Sequence, residues 1–167
     1  MIYIGIGSNL ASSFGDRFKN IELAVSYLQK ERIKLIKKSS FYETFSYPNR
    51  KDPKFINIVI SVQSDLSESD LMSVLIRIEE KLERKRKRKN DPRTCDLDII
   101  DYKKKVTNFK FNDSELTLPH KYISNRNFVL YPLKEICPNW THPVTKKNID
   151  FLIKDLKTPN NEITKLS

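Results

Sequence analysis

Arg93-Thr94-Cys95-Asp96-Leu97-Asp98, continuing into Ile99-Ile100, is the stretch that decides how the rest of the chain is read. Its alternation predicts a strand. In extended backbone, side chains at i and i+2 share a face, so Asp96 and Asp98 project together while Cys95, Leu97 and Ile99 project to the opposite, apolar side. Two like charges held that close favour a shared cation. A small set of oxygen ligands suits Mg²⁺, which keeps most of its waters and completes its shell with phosphate oxygens. Immediately upstream stand six consecutive cations, Arg84 to Lys89, suited to the remaining phosphate charge. The segment reads as a nucleotide-phosphate site built on a strand with one core face.

Working outward, Ile2-Tyr3-Ile4-Gly5-Ile6 has period two, and Gly7-Ser8-Asn9 follows as a turn. Phe14, Phe18, Ile21, Val25 and Leu28 recur at helical steps and predict a helix over 14–30. Extended character returns at 33–40, a loop is expected over 42–54 because of Pro48 and Pro53, and 55–62 is a β-branched strand. Ser67 with Asp70 resembles a capping box, and Leu71, Val74, Leu75, Ile78 and Leu82 trace a second helix. The order is βαββαβ, that of an α+β ferredoxin-like sandwich with both helices on one sheet face and the other face free for a ligand. Beyond it come a hairpin-like stretch over 103–117, a segment over 128–136 that Pro132 confines to short or kinked helices, and a last packing helix carrying Ile149, Phe151, Leu152 and Leu156.

The 167 residues, 38% of them apolar, suit a single domain spanning 1–167. The net charge of +10 is local, because without the six cations of 84–89 it falls to +4. Cys95 and Cys137 have neither zinc-site nor disulfide-framework spacing and read as reduced packing residues. With no leader pattern at the start and no long apolar run, a soluble cytoplasmic protein is expected.

Each motif also has a plainer reading. An Asp-x-Asp pair alone is better explained by one carboxylate pairing with a surface Lys and the other being solvated, and it is the core face of its strand and the neighbouring Arg93 that favour a metal. The cationic run alone reads as a solvated helix end; its place between a helix and the aspartate strand is what suits a loop folding over polyphosphate. Tyr42, Phe45, Tyr47, Phe55 and Asn57 either cap a core or sandwich a flat heteroaromatic ligand whose ring nitrogens an amide would read. His120 either meets phosphate or satisfies the backbone, and His142 reads as structural.

Taken in order, these pieces resemble the 6-hydroxymethyl-7,8-dihydropterin pyrophosphokinase family of folate biosynthesis. The resemblance rests on Tyr3-Ile4-Gly5-Ile6-Gly7-Ser8-Asn9-Leu10, Ser40-Phe41-Tyr42-Glu43-Thr44, Phe55-Ile56-Asn57, Ile78-Glu79, Pro92-Arg93-Thr94-Cys95-Asp96-Leu97-Asp98-Ile99, Leu118-Pro119-His120 and Arg126-Asn127-Phe128-Val129-Leu130. It implies a monomeric, ferredoxin-like enzyme that moves the terminal diphosphate of ATP to the pterin hydroxymethyl oxygen and releases AMP, with two Mg²⁺ ions. By the same resemblance Asp96 and Asp98 would hold the ions, with Asp98 near the substrate hydroxyl. Arg84 and Arg93 would bind phosphates, Arg86, His120 and Arg126 would add ATP contacts, and Thr44, Asn57, Phe55 and Phe128, with Phe45 and Tyr47 of the ring-rich loop, would line the pterin pocket.

The chain departs from the family at Glu83, where relatives often have Gly, at Asn90-Asp91, where they often have Trp-Gly, and at Phe45, where a proline is usual. These departures bear on loop closure and pterin stacking more than on the reaction. Two other readings are an RNA-binding module, since ferredoxin-like sheets with aromatic faces bind single strands, and a scaffold that has lost activity. The strand at 55–60 lacks the basic-Gly-aromatic pattern of the former, and retention of Asp96, Asp98, Arg84 and Arg93 argues against the latter.

Overall fold

In a computed structural model, which describes residues 1–85, 88–158 and 162–166, the chain folds as β1 (Ile2–Ser8), α1 (Arg17–Lys30), β2 (Lys34–Lys38), β3 (Tyr42–Thr44), β4 (Phe55–Gln63), α2 (Glu68–Lys81) and β5 (Asp96–Tyr102). A hairpin, β6 (Thr107–Phe111) and β7 (Ser114–Leu118), follows, then a 3₁₀ turn at Ile123–Asn125, α3 (Asn127–Ile136), α4 (Ile149–Lys154) and β8 (Ile163–Lys165). The main sheet is antiparallel in every pairing, with β1 between β5 and β4; β2 and β3 share the far edge of β4, and β8 lies outside β3. This is the ferredoxin-like arrangement expected from the element order.

One sheet face is closed by α1 and α2. Even-numbered residues of β1 and β4, Ile2, Ile4, Ile6, Ile56, Ile58 and Ile60, meet Ile21 and Leu28 of α1 and Leu71 and Leu75 of α2. Each such side chain withdrawn from water contributes about 2 kcal/mol, so this layer dominates the stability of the fold. Ser67 caps α2 by accepting the Asp70 N–H at 3.1 Å, as the capping box predicts. Asp16 caps α1 the same way through Lys19 N–H at 2.9 Å, so the helix starts at Arg17 rather than 14, and Phe14 is left outside it and exposed.

The opposite face is not free along its whole length. Tyr3, Val59 and Ile100 project there into a second core with Leu130 and Leu133 of α3, Ile149 and Leu152 of α4, and Trp140. A β-bulge makes this possible: Tyr3 pairs with Asp101 and Ile4 with Ile99, so Ile100 is an extra residue. The bulge reverses the alternation, sending Tyr102 back to the first core and leaving buried Asp101 to accept the Trp140 Nε1–H at 2.8 Å. Only the half of this face nearer Ser8 stays uncovered by α3 and α4.

Three smaller expectations change. The loop expected over 42–54 begins with strand β3, whose Tyr42 and Thr44 are buried against β4. The last helix buries Ile149 and Leu152 but leaves Phe151 exposed, with Leu156 past its end. Strand β8, in a tail that carries no clear pattern, adds a further strand beside β3. The 103–117 stretch is a hairpin, turned at Asn112-Asp113 with positive φ at both residues.

Candidate active site

Register assembles the uncovered half-face. Gly7 of β1 pairs with Asp96 on one side and Asn57 on the other, and Gly5 pairs with Asp98 and Val59. Two glycines at alternate positions lower this strip of the sheet into a shallow trough over which neighbouring side chains lean: a Cβ on Gly7 would stand 2.9 Å from Asn57 Oδ1, and one on Gly5 3.2 Å from Ile100. Asp96 and Asp98 flank the trough from β5, as the period-two reading requires, and Leu97 and Ile99 are buried in the first core.

Asp96 is the electrostatic hub. Its Oδ1 accepts from Arg84 Nη1 at 2.6 Å, and its Oδ2 from Arg93 Nε at 3.0 Å. Arg84 also reaches Glu79 Oε1 at 2.5 Å, and that same oxygen accepts the Leu97 N–H at 2.8 Å. Burial by itself would raise the Asp96 carboxyl, but Arg93 and Arg84 outweigh it and hold it below the usual carboxylate range. Asp98 is pushed up to about 6, by burial first and then by the Asp96 charge, with Arg126 Nη1 at 3.3 Å only partly offsetting them. The two carboxylates thus divide, one held ionised by two arginines and the other weakly compensated.

Each aspartate is tied to an arginine lying over an aromatic ring. Arg93, paired with Asp96, has its guanidinium carbon 5.1 Å from the Phe55 ring centre. Arg126, paired with Asp98, lies 5.4 Å from the ring of Phe128, which is half-buried at the start of α3. Cation and ring attract here, and a flat ligand reaching either ring face meets a guanidinium beside it. Asn57 is buried and donates Nδ2–H to Thr44 Oγ1 at 3.1 Å, so the amide is fixed in the floor of the trough.

His120 bonds to the backbone, but as an acceptor of an N–H rather than as a donor to a carbonyl. Its Nδ1 accepts the Tyr122 N–H at 3.1 Å, which assigns the ring proton to Nε2, and Nε2 lies 3.5 Å from Arg126 Nη1. Burial first, and then Arg126, press its pKa down to about 4, so the imidazole is neutral at physiological pH. Two N–H donors facing one another suit an oxyanion between them.

Of the residues expected at the site, Arg84, Arg93, Asp96, Asp98, His120, Arg126, Asn57, Thr44, Phe55 and Phe128 gather around this half-face. Phe45 is instead held between Arg50 and Lys54, 4.0 and 4.8 Å from its ring centre, and Tyr47 is 83% exposed on its loop. Both lie past the end of β3, where no sheet register directs them inward. Arg86 lies outside the described residues. His142 is structural as expected, its Nδ1 accepting the Val144 and Thr145 N–H groups.

Two residues of the site stand within the matching pieces of sequence but were given no role there. Glu79 is a buried carboxylate in the apolar stripe of α2, four residues after Leu75 and three before Leu82, and that charge at a core position was its available signal. Asn9 clamps Arg93 by accepting its N–H at 2.8 Å and donating its own N–H to the Arg93 carbonyl at 3.1 Å. Its Nδ2 also reaches Ser46 and the Pro53 carbonyl, which ties three loops together.

Among the described residues no three His, Cys, Asp or Glu side chains form a metal cage, and no helix is long and apolar enough to cross a membrane. An RNA-binding sheet would need its central face open, but α3 and α4 cover much of it here.

A ferredoxin-like sandwich whose half-open face joins paired carboxylates, converging arginines and a ring-and-amide trough has the parts that phosphoryl transfer requires. The family described as 7,8-dihydro-6-hydroxymethylpterin-pyrophosphokinase matches residues 3–138, and the chain belongs to it. It is 33% identical over 159 residues to 2-amino-4-hydroxy-6-hydroxymethyldihydropteridine pyrophosphokinase of Aquifex aeolicus, covering 95% of this chain and 91% of that protein. The Bacillus subtilis protein of the same name is 32% identical, covering 89% of this chain and 84% of its own length. Among solved structures, Plasmodium falciparum HPPK-DHPS superposes with a TM-score of 0.74 at 14% identity, covering 98% of this chain and 46% of that longer one, which establishes the shared fold.

Proposed function

We propose that residues 1–167 form a single pyrophosphokinase domain that transfers the diphosphate of ATP to the hydroxymethyl group of 6-hydroxymethyl-7,8-dihydropterin, giving the pterin diphosphate and AMP. The observation that carries this reading is the Asp96–Asp98 pair set against Arg84 and Arg93 on the same trough that holds Asn57.

The residues fit Mg²⁺. Asp96 and Asp98 supply hard oxygen donors from one strand face, too few for a protein-only cage but suited to ions that take the rest of their shell from phosphate and water. Two such ions would be held by these carboxylates and would supply charge neutralisation and alignment of the triphosphate. Arg84 and Arg93 now spend their donors on Asp96; once a cation compensates that carboxylate, the same guanidinium groups are available to phosphate oxygens. Neutral His120 and Arg126 offer a further oxyanion position beside Asp98. On the pterin side, Asn57 and Thr44 provide the polar floor and Phe55 and Phe128 the stacking faces. Such a site works by positioning and charge stabilisation, with no covalent intermediate required. We infer a monomer acting in the cytoplasm on these small molecules.

Purified chain incubated with ATP, Mg²⁺ and 6-hydroxymethyl-7,8-dihydropterin is expected to form AMP rather than ADP, only when pterin is present, and to lose that activity in Asp96→Ala and Asp98→Ala. AMP formation unaffected in both variants, or no turnover by the wild-type chain, overturns the assignment.

A further inference from the structure

We infer that Glu83 and Ser13 are positioning residues for Arg84, latching the start of the basic loop to the β1–α1 connection; their kinetic role rests on the diphosphate-transfer reading above. Glu83 follows the last turn of α2 with φ at +67°, a left-handed conformation that glycine adopts freely and glutamate does not. Its carboxylate accepts the Ser13 backbone N–H at 2.9 Å through one oxygen and the Ser13 hydroxyl through the other. Those two bonds hold the side chain across a sharp exit from the helix, and the next residue, Arg84, turns back to Glu79 and Asp96.

The same connection grips the other end of the basic loop, because Asn9 exchanges two hydrogen bonds with Arg93. The turn that carries Ser13 is itself held. Ser12 Oγ donates to Asn20 Oδ1 at 2.6 Å, Asn20 Nδ2 donates to the Leu10 carbonyl at 3.0 Å, and Ser12 and Gly15 form an antiparallel bridge. Residues 9–13 therefore form a brace whose two ends fix Arg93 and Glu83, and with them the approach of both guanidinium groups to Asp96. The Asn9 arm acts on Arg93 directly; the Ser13 arm acts on Arg84 through Glu83.

The test combines steady-state kinetics with trypsin cleavage, which needs no turnover. In Glu83→Ala the rate constant for AMP formation is expected to fall about tenfold and in Ser13→Ala about threefold, with the double variant no worse than Glu83→Ala because the two share one interaction. Glu83→Gln, which can still accept the Ser13 N–H, is expected to stay within about threefold of wild type, and KM for pterin within about twofold throughout, since Asn57, Thr44 and Phe55 are untouched. Trypsin cleavage at Lys85, Arg88 or Lys89 is expected to quicken about tenfold in Glu83→Ala. Unchanged cleavage and unchanged kcat in Glu83→Ala overturn the latch, as does a pterin KM that moves as far as kcat. A wild-type chain that makes no AMP while cleavage still responds supports the latch and rejects the diphosphate-transfer reading instead.

Discussion

Gly7 stands opposite Asn57 across the β1–β4 ladder, and the Asn57 amide fills the space that a side chain on Gly7 would need, 2.9 Å from where its Cβ would lie. Asn57 is buried and bonded to Thr44, so it cannot swing aside cheaply. Because Gly7 also pairs with Asp96, this one glycine separates the carboxylate that would hold a metal from the amide that would read a pterin.

Gly7→Ala should therefore damage binding more than stability. The added methyl displaces Asn57 and breaks its bond to Thr44, and pterin affinity is expected to fall about tenfold or more, the equivalent of one or two hydrogen bonds. Fluorescence titration with pterin checks this, alongside a melting curve.

Glu79→Ala should act on stability first. The Glu79 side chain is only 3% exposed and serves both Arg84 and the Leu97 N–H, so its removal leaves a buried cation short of a partner and an amide unsatisfied. A loss of roughly 3–5 kcal/mol is expected in urea unfolding.

Asp98 should make the metal-free fold pH-sensitive. Its pKa rises from 3.8 to about 6 on folding, so the folded chain binds that proton more tightly than the unfolded chain. Its contribution is then present at low pH and is lost as pH rises through about 6. In EDTA, Asp98→Asn is expected to melt above wild type at pH 7.5 and to converge with it near pH 4, as scanning calorimetry would show.

His120 should carry no charge across the working range. With its pKa lowered from 6.5 to about 4, its folded form binds fewer protons than its unfolded form, so its contribution to stability is full above pH 6.5 and is lost as pH falls toward 4. Nitrogen chemical shifts are expected to show the Nε2–H tautomer from pH 5.5 to 8, with Nδ1 bonded to the Tyr122 amide.

The two aromatic positions should separate. Phe55→Ala removes a ring beside Arg93 and is expected to weaken pterin binding about tenfold, whereas Tyr47→Ala, at an exposed ring, should change it less than about twofold. Equal effects at both positions would return Tyr47 to the pocket.

Legibility in the sequence followed local periodicity. The alternation around Asp96 and Asp98, the helical spacing of Ile21, Val25 and Leu28, and the Ser67 cap are properties of neighbours along the chain, and each took the expected form. Phe14 failed as a helix residue because a stronger local signal, the Asp16 cap, overrode the hydrophobic spacing. Phe45 and Tyr47 lie apart from the other expected site residues because they fall just past β3, where composition gives no direction to a ring.

By itself the sequence determined the βαββαβ order, the shared face of the two aspartates and the pairing of carboxylates with cations, since period and charge are carried by residues close in sequence. Tertiary structure alone decided which half of the sheet stays open, because that depends on the bulge at Ile100 and on α3 and α4 packing over Tyr3 and Val59. It also decided that Asn9 and Ser13 would brace Arg93 and Glu83. Those contacts join residues seventy or more positions apart, and they form only when the sheet brings the ends of β1, β4 and β5 to the same rim.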